Sequence, residues 1–281
     1  MTLRIPRGRR GVTLLDLIVV LVLLPVLLLT ASCWRRTNHG SSNRVKCASN
    51  LRQIGQAILL YSNENGGAYP RTTAGTGETI TPVWGTGITS SKPFEDGGPQ
   101  PNDVTAAMFL LLRTQDITSE VFTCPSSNAE KDTFGGGANA AINRSNFTDL
   151  KKNLAYSYQN PYPNDGALRR KFELNNKISA EFAVASDMNP GVKGDNDNVL
   201  AVTSTSSAQQ MKQGNSNNHD QDGQNVLYGD GHVEFQQNPF VGVQRDNIFT
   251  ARTGDKPNPK TELIVASPYD ANDSILLPTD D

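Results

Sequence analysis

Histidine and cysteine are scarce in this chain. Its 281 residues carry three of each: His39, His219 and His232, and Cys33, Cys47 and Cys124. No Cys-x-x-Cys, His-Glu-x-x-His, Gly-x-Ser-x-Gly elbow or P-loop occurs, so the local motifs that announce redox, hydrolytic or nucleotide chemistry are missing. Scattered Ser, His and Asp residues do not make a triad without geometry, and the expectation is a protein that is not an enzyme. Basic clusters are missing too, apart from the residues that flank the N-terminal apolar run. The net charge is −2, which leaves nucleic-acid binding without an electrostatic footprint. No repeat of fixed period is present, which excludes a solenoid.

What the chain does have is a long apolar run. Val12 to Ala31 is twenty residues with one charge, Asp16. That length matches the roughly 20 residues a helix needs to cross a bilayer core, so a transmembrane helix over residues 12–32 is expected. Asp16 inside such a run demands compensation, because a carboxylate at mid-bilayer costs about 2.5–3.5 kcal/mol. Pro25 removes one backbone donor and kinks the helix. Arginines stand on both sides of the run (Arg4, Arg7, Arg9 and Arg10; Arg35, Arg36 and Arg44), so charge alone gives no orientation.

Beyond the run, Cys47, Leu51, Ile54, Ile58 and Tyr61 recur at helical spacing and predict a helix over residues 44–63 with one apolar face. Gly66-Gly67 stops it. A second helix is predicted over residues 103–113, with Asn102 or Asp103 as its cap. Strands are predicted at Val121–Cys124, Ala155–Gln159, Phe182–Ser186 and Glu262–Ala266. Asn225–Gly229 and His232–Phe235 read as a hairpin closed by Gly229-Asp230-Gly231. Residues 67–101 and 126–153 read as loops rich in Gly, Thr, Pro and Asn.

Four blocks together carry a family resemblance. Gly8-Arg-Arg-Gly-Val-Thr-Leu-Leu-Asp16 resembles the leader of type IV prepilins and type II secretion pseudopilins. Cys47-Ala-Ser-Asn-Leu-Arg-Gln-Ile-Gly-Gln-Ala-Ile58, Val121-Phe-Thr-Cys-Pro-Ser126 and Asn225-Val-Leu-Tyr-Gly-Asp-Gly-His-Val-Glu-Phe235 resemble the bacterial prepilin-type group named for an H-X9-DG motif. The resemblance implies peptidase cleavage and N-methylation between Gly11 and Val12, with Asp16 contacting a neighbouring subunit's amine in the membrane. Val12 and Asp16 stand where the family usually has Phe and Glu. It also implies an α+β fold: a long N-terminal transmembrane helix extending into a pilin-like globular domain with an antiparallel β-sheet. The corresponding organisation is a leader over 1–11, the span over 12–32, a helical extension over 33–66 and an exported globular domain over 67–281. The implied setting is the cell inner membrane, single-pass, with the globular domain on the periplasmic side. The implied partners are a prepilin peptidase, other pilin-like subunits and the membrane; nucleic acid is not among them. The implied function is a structural component of a type II secretion-like or envelope filament.

A competing reading is a membrane- or lipid-anchored surface module that binds a glycan or calcium, since Leu29-Thr30-Ala31-Ser32-Cys33 resembles a lipoprotein signal. In that group's signature His219 takes the histidine position and Asp230-Gly231 the DG, with ten intervening residues in place of nine. His219 either clamps the hairpin, ligates a metal or is a loop histidine bonded to the turn. Oxygen-rich Asp195, Asp197, Asp220 and Asp222 are the candidate calcium ligands, though they lack the twelve-residue loop ending in Glu of an EF-hand; no other cofactor is expected. A Cys47–Cys124 disulfide is expected if both face an oxidising compartment, the competing expectation being two buried free thiols.

Overall fold

A computed structural model describes residues 14–137, 140–193, 197–258 and 260–280, with the backbone alone at 15, 16 and 26–39. The first helix, α1, runs Leu14–Glu64. The chain divides into two compact units, one ending at Ser42 and the other Asn43–Asp281.

In the first unit, Leu17–Leu24 are each 46–66% exposed. Eight consecutive helical residues sample every direction around the axis, so no face of this stretch is covered. The expected transmembrane helix is corrected here: among the described residues no helix is long and apolar enough to cross a membrane. Residues 40–43 of α1, Gly-Ser-Ser-Asn, are small and polar.

The second unit is α+β, with a five-stranded antiparallel sheet ordered β4-β3-β2-β1-β5. The strands are β1 (Tyr156–Gln159), β2 (Ala183–Asp187), β3 (Gln224–Tyr228), β4 (Val233–Gln236) and β5 (Leu276–Leu277). Within this unit α1 buries Cys47, Leu51, Ile54 and Ile58, each at most 1% exposed, together with Tyr61. Gly55 brings the helix close to the sheet: a Cβ there would lie 2.8 Å from Leu227 Cδ1. The helix stops at Gly66 and Gly67, whose φ angles of +63° and +91° suit glycine, and Gly67 N donates to Ser62 O at 2.7 Å.

A second helix, α2 (Val104–Thr114), is buried from Val104 to Leu112. Asp103 caps it by accepting from Ala106 N at 2.8 Å. Phe109, Phe147 and Phe122 pack in edge and tilted contacts with centroids 5.1 and 5.4 Å apart.

Strands β1, β2 and β3 are buried along their whole length, and apolar clusters cover both faces of β2 and β3. Tyr156, Tyr158, Val184 and Leu227 join the α1–α2 cluster, whereas Ala183, Val226, Tyr228 and Leu276 pack with Val199, Ile248 and Phe249. Ala183 and Val184 obey strand alternation; a register shift between Ala183 and Ala185 then puts Ala185 on the same side as Val184. Two expected strands are corrected. Ser119–Phe122 is a 3-10 turn, and Leu263 only bridges Ala251.

Candidate metal centre

Four segments meet where α1 crosses the end of the sheet. Helix α1 brings Cys47, and the chain leaving the Ser119–Phe122 turn brings Cys124. Asp187 is the last residue of β2, and His219 ends a 3-10 turn, Asn217–His219. Cys47 and Cys124 are joined by a disulfide, with Cα atoms 5.3 Å apart and a sequence separation of 77. Beside it Asn50 Nδ2 donates to Thr123 O at 2.7 Å, a second tie between α1 and this segment.

Asp187 is fully buried, and its carboxylate is surrounded by donors. Oδ2 accepts from Asn225 N at 2.6 Å and from Asn225 Nδ2 at 3.0 Å, and Oδ1 accepts from Asn218 Nδ2 at 3.3 Å. Asn218 Nδ2 also donates to Ala155 O at 2.7 Å, which fixes its amide. His219 is 4% exposed, with Nε2 lying 3.0 Å from Asp187 Oδ2. The ring of Phe235 meets the His219 ring edge-on at 5.8 Å, and the Arg44 guanidinium sits 4.4 Å above Phe235. This aromatic–cation stack is the outer cover of the imidazole.

Cys47, Cys124, Asp187 and His219 are all buried and each offers one ligand atom, and these four atoms lie within 4.8 Å of one another. A group of this composition could hold a metal ion. While the disulfide is intact its sulfurs are not thiolates, which are the metal-binding form.

The other residues singled out by sequence lie elsewhere. Asp230 and Gly231 close the β3–β4 turn: Asp230 Oδ1 accepts from His232 N at 3.0 Å, and Gly231 has φ +87°. The His232 backbone N–H and ring hold the Asp230 carboxyl below its usual range. His219 therefore pairs with strands β2 and β3 in place of the turn. Asp222 is bound by Arg44 and Lys212, each at 2.8 Å, and the Lys212 hydrogen bond leads in lowering its pKa. Asp197 accepts from Gln221 at 2.7 Å and Asn217 at 3.1 Å. Asp220 has left-handed backbone at φ +55°. Gly11, Val12 and Asp195, and the side chains of Asp16 and Cys33, lie outside the described residues.

A second buried charged centre had no sequence signal. Arg252, 4% exposed, lies 3.3 Å from Asp246 Oδ1, 3.4 Å from Asp273 Oδ1 and 2.6 Å from Asp270 Oδ1. Burial pushes Asp273 up to about 7, although the backbone N–H groups of Tyr269 and Arg252 and the guanidinium pull it back. Burial, then the charge of Asp273, pushes Asp246 upward as well. Here an arginine already occupies the place a cation would take. Sequence reasoning also missed Asp187, whose only signal is a carboxylate ending the apolar stretch Phe182–Ser186.

Comparison with family models, curated proteins and solved structures gives no match. The likeness to prepilin-type proteins therefore rests on the residues quoted from the sequence.

Proposed function

We propose that this chain is a pilin-like structural subunit, matured by a prepilin peptidase between Gly11 and Val12 and assembled with other pilin-like subunits into an envelope or type II secretion-like filament. One observation carries the reading: Leu17–Leu24 form an apolar helical stretch with every residue at least 46% exposed. Exposed apolar surface of this extent marks an interaction site. Because it runs around the whole helix, it suits packing among several neighbouring helices. Asp16 then pairs with the amine of an adjacent subunit. The Cys47–Cys124 disulfide supports an oxidising, exported compartment for the second unit. Calcium at the acidic loops is the weaker reading, since Asp222 would have to release both Arg44 and Lys212.

The test is crosslinking of the full chain in its native cell envelope. Asp16→Ala should abolish crosslinked oligomers while leaving the melting temperature of the purified chain unchanged. Crosslinking at the wild-type level would remove the argument for assembly.

A further inference from the structure

The disulfide shares its buried space with two groups that a disulfide does not need. A structural staple is complete with two sulfurs, yet an imidazole and a carboxylate converge on it with all four donor atoms within 4.8 Å. We propose that Cys47, Cys124, His219 and Asp187 form a zinc site in the reduced protein, so that zinc replaces the covalent staple between α1 and the segment bearing Cys124.

The donor set selects the metal. Two thiolates, one imidazole and one carboxylate suit zinc, whereas calcium and magnesium take oxygen ligands. Zinc binds sulfur at about 2.3 Å and nitrogen or oxygen at about 2.0–2.2 Å, so a tetrahedral site has its donors roughly 3.3–3.8 Å apart. The four donor atoms lie within 4.8 Å of one another, close to that spacing. Orientation is supplied as well: Asn225 and Asn218 hold the Asp187 carboxylate. The charge logic agrees, because two buried thiolates beside a buried carboxylate need a compensating cation, and among the described residues no arginine pairs with Asp187 as Arg252 does with Asp246 and Asp273. The half-buried Phe235, with Arg44 above it, covers His219 and is the part of the wall that must yield for entry.

The chemistry balances with a dithiol reductant. The Cys47–Cys124 S–S bond breaks and takes up two electrons and two protons, giving two thiols, while the dithiol closes into its own disulfide. Zinc then displaces both thiol protons to solvent and binds His219 through a neutral ring nitrogen.

The experiment uses the full chain, reduced with a dithiol, freed of reductant without oxygen and titrated with zinc against a chromophoric chelator. One zinc per chain is expected for the reduced protein and none for the oxidised protein. Zinc should raise the melting temperature of the reduced protein and protect both cysteines from alkylation. Cobalt in place of zinc should give a thiolate charge-transfer band. His219→Gln, prepared oxidised so that the disulfide maintains the fold, should lose at least about tenfold in zinc affinity once reduced. Equal zinc uptake by oxidised and reduced protein would overturn the proposal. So would no uptake by the reduced protein, whether it stays folded or unfolds, or undiminished affinity in His219→Gln.

Discussion

The two stretches of α1 are both rich in aliphatic residues and have opposite environments. Leu17–Leu24 are 46–66% exposed, whereas Leu51, Ile54 and Ile58 are at most 1% exposed. Total apolarity does not separate them; its arrangement does. In the second stretch Ser49, Arg52, Gln53 and Gln56 interrupt the pattern, which leaves one stripe that a single sheet can cover. The first stretch is apolar in every direction, and one sheet cannot cover a cylinder all round. Several helices can. The disulfide ties the second stretch to the segment bearing Cys124, and the first stretch is left exposed.

Removing the staple gives the largest expected effect. Cys47→Ala with Cys124→Ala opens a loop of 77 residues, worth about 4–5 kcal/mol in the chain-entropy description before any strain is subtracted. Urea unfolding measures it, and a loss below about 1 kcal/mol would mean that packing alone holds the buried stretch. Next comes Ile54→Ala, which empties a fully buried site and should cost about 2–5 kcal/mol in the same assay.

A smaller effect follows from acidity. Asp273 is raised to about 7 when folded against about 3.9 in the unfolded chain, so between those values the folded state binds the extra proton. Its contribution to stability is full at low pH and is lost as pH rises from about 4 to 7. Melting temperature followed across that range should carry this falling component, and Asp273→Asn should remove it. A variant with an unchanged profile would show that Asp273 does not titrate in this window. The smallest change in stability is expected for Leu21→Ser, within about 0.5 kcal/mol of wild type because the residue is already 66% exposed. The same substitution should sharply reduce crosslinked oligomers. A variant that melts as low as Ile54→Ala would break the contrast between the two stretches.

How much of this was legible depended on whether the cause was local. The buried face of α1 could be read because Cys47, Leu51, Ile54, Ile58 and Tyr61 keep helical spacing. The Asp103 cap and the Gly229-Asp230-Gly231 turn could be read because their chemistry acts within a few residues. Val121–Cys124 misled: its apolar residues suit a strand, but the Val121 and Thr123 N–H groups turn back to Thr118 O and Glu120 O. The edge strand β5 has two residues, too few for any period. Asp187 and His219 stand 32 positions apart and meet only because β2 pairs with β3. The Asp246–Arg252–Asp273 centre likewise exists only once β5 brings the end of the chain back beside β1. The apolar run from Val12 to Ala31 was read through its composition, and among the described residues no helix meets the length and apolarity of a span.

Central to the account is a subunit that is processed and then assembled. Intact mass of the mature protein isolated from its native cell envelope tests this most directly. A chain beginning at Val12, one methyl group heavier if its new amine is methylated, is the expected result, and Gly11→Leu should leave the full-length mass. A mature chain that still begins at Met1, or one that begins at a lipid-bearing Cys33, would contradict it.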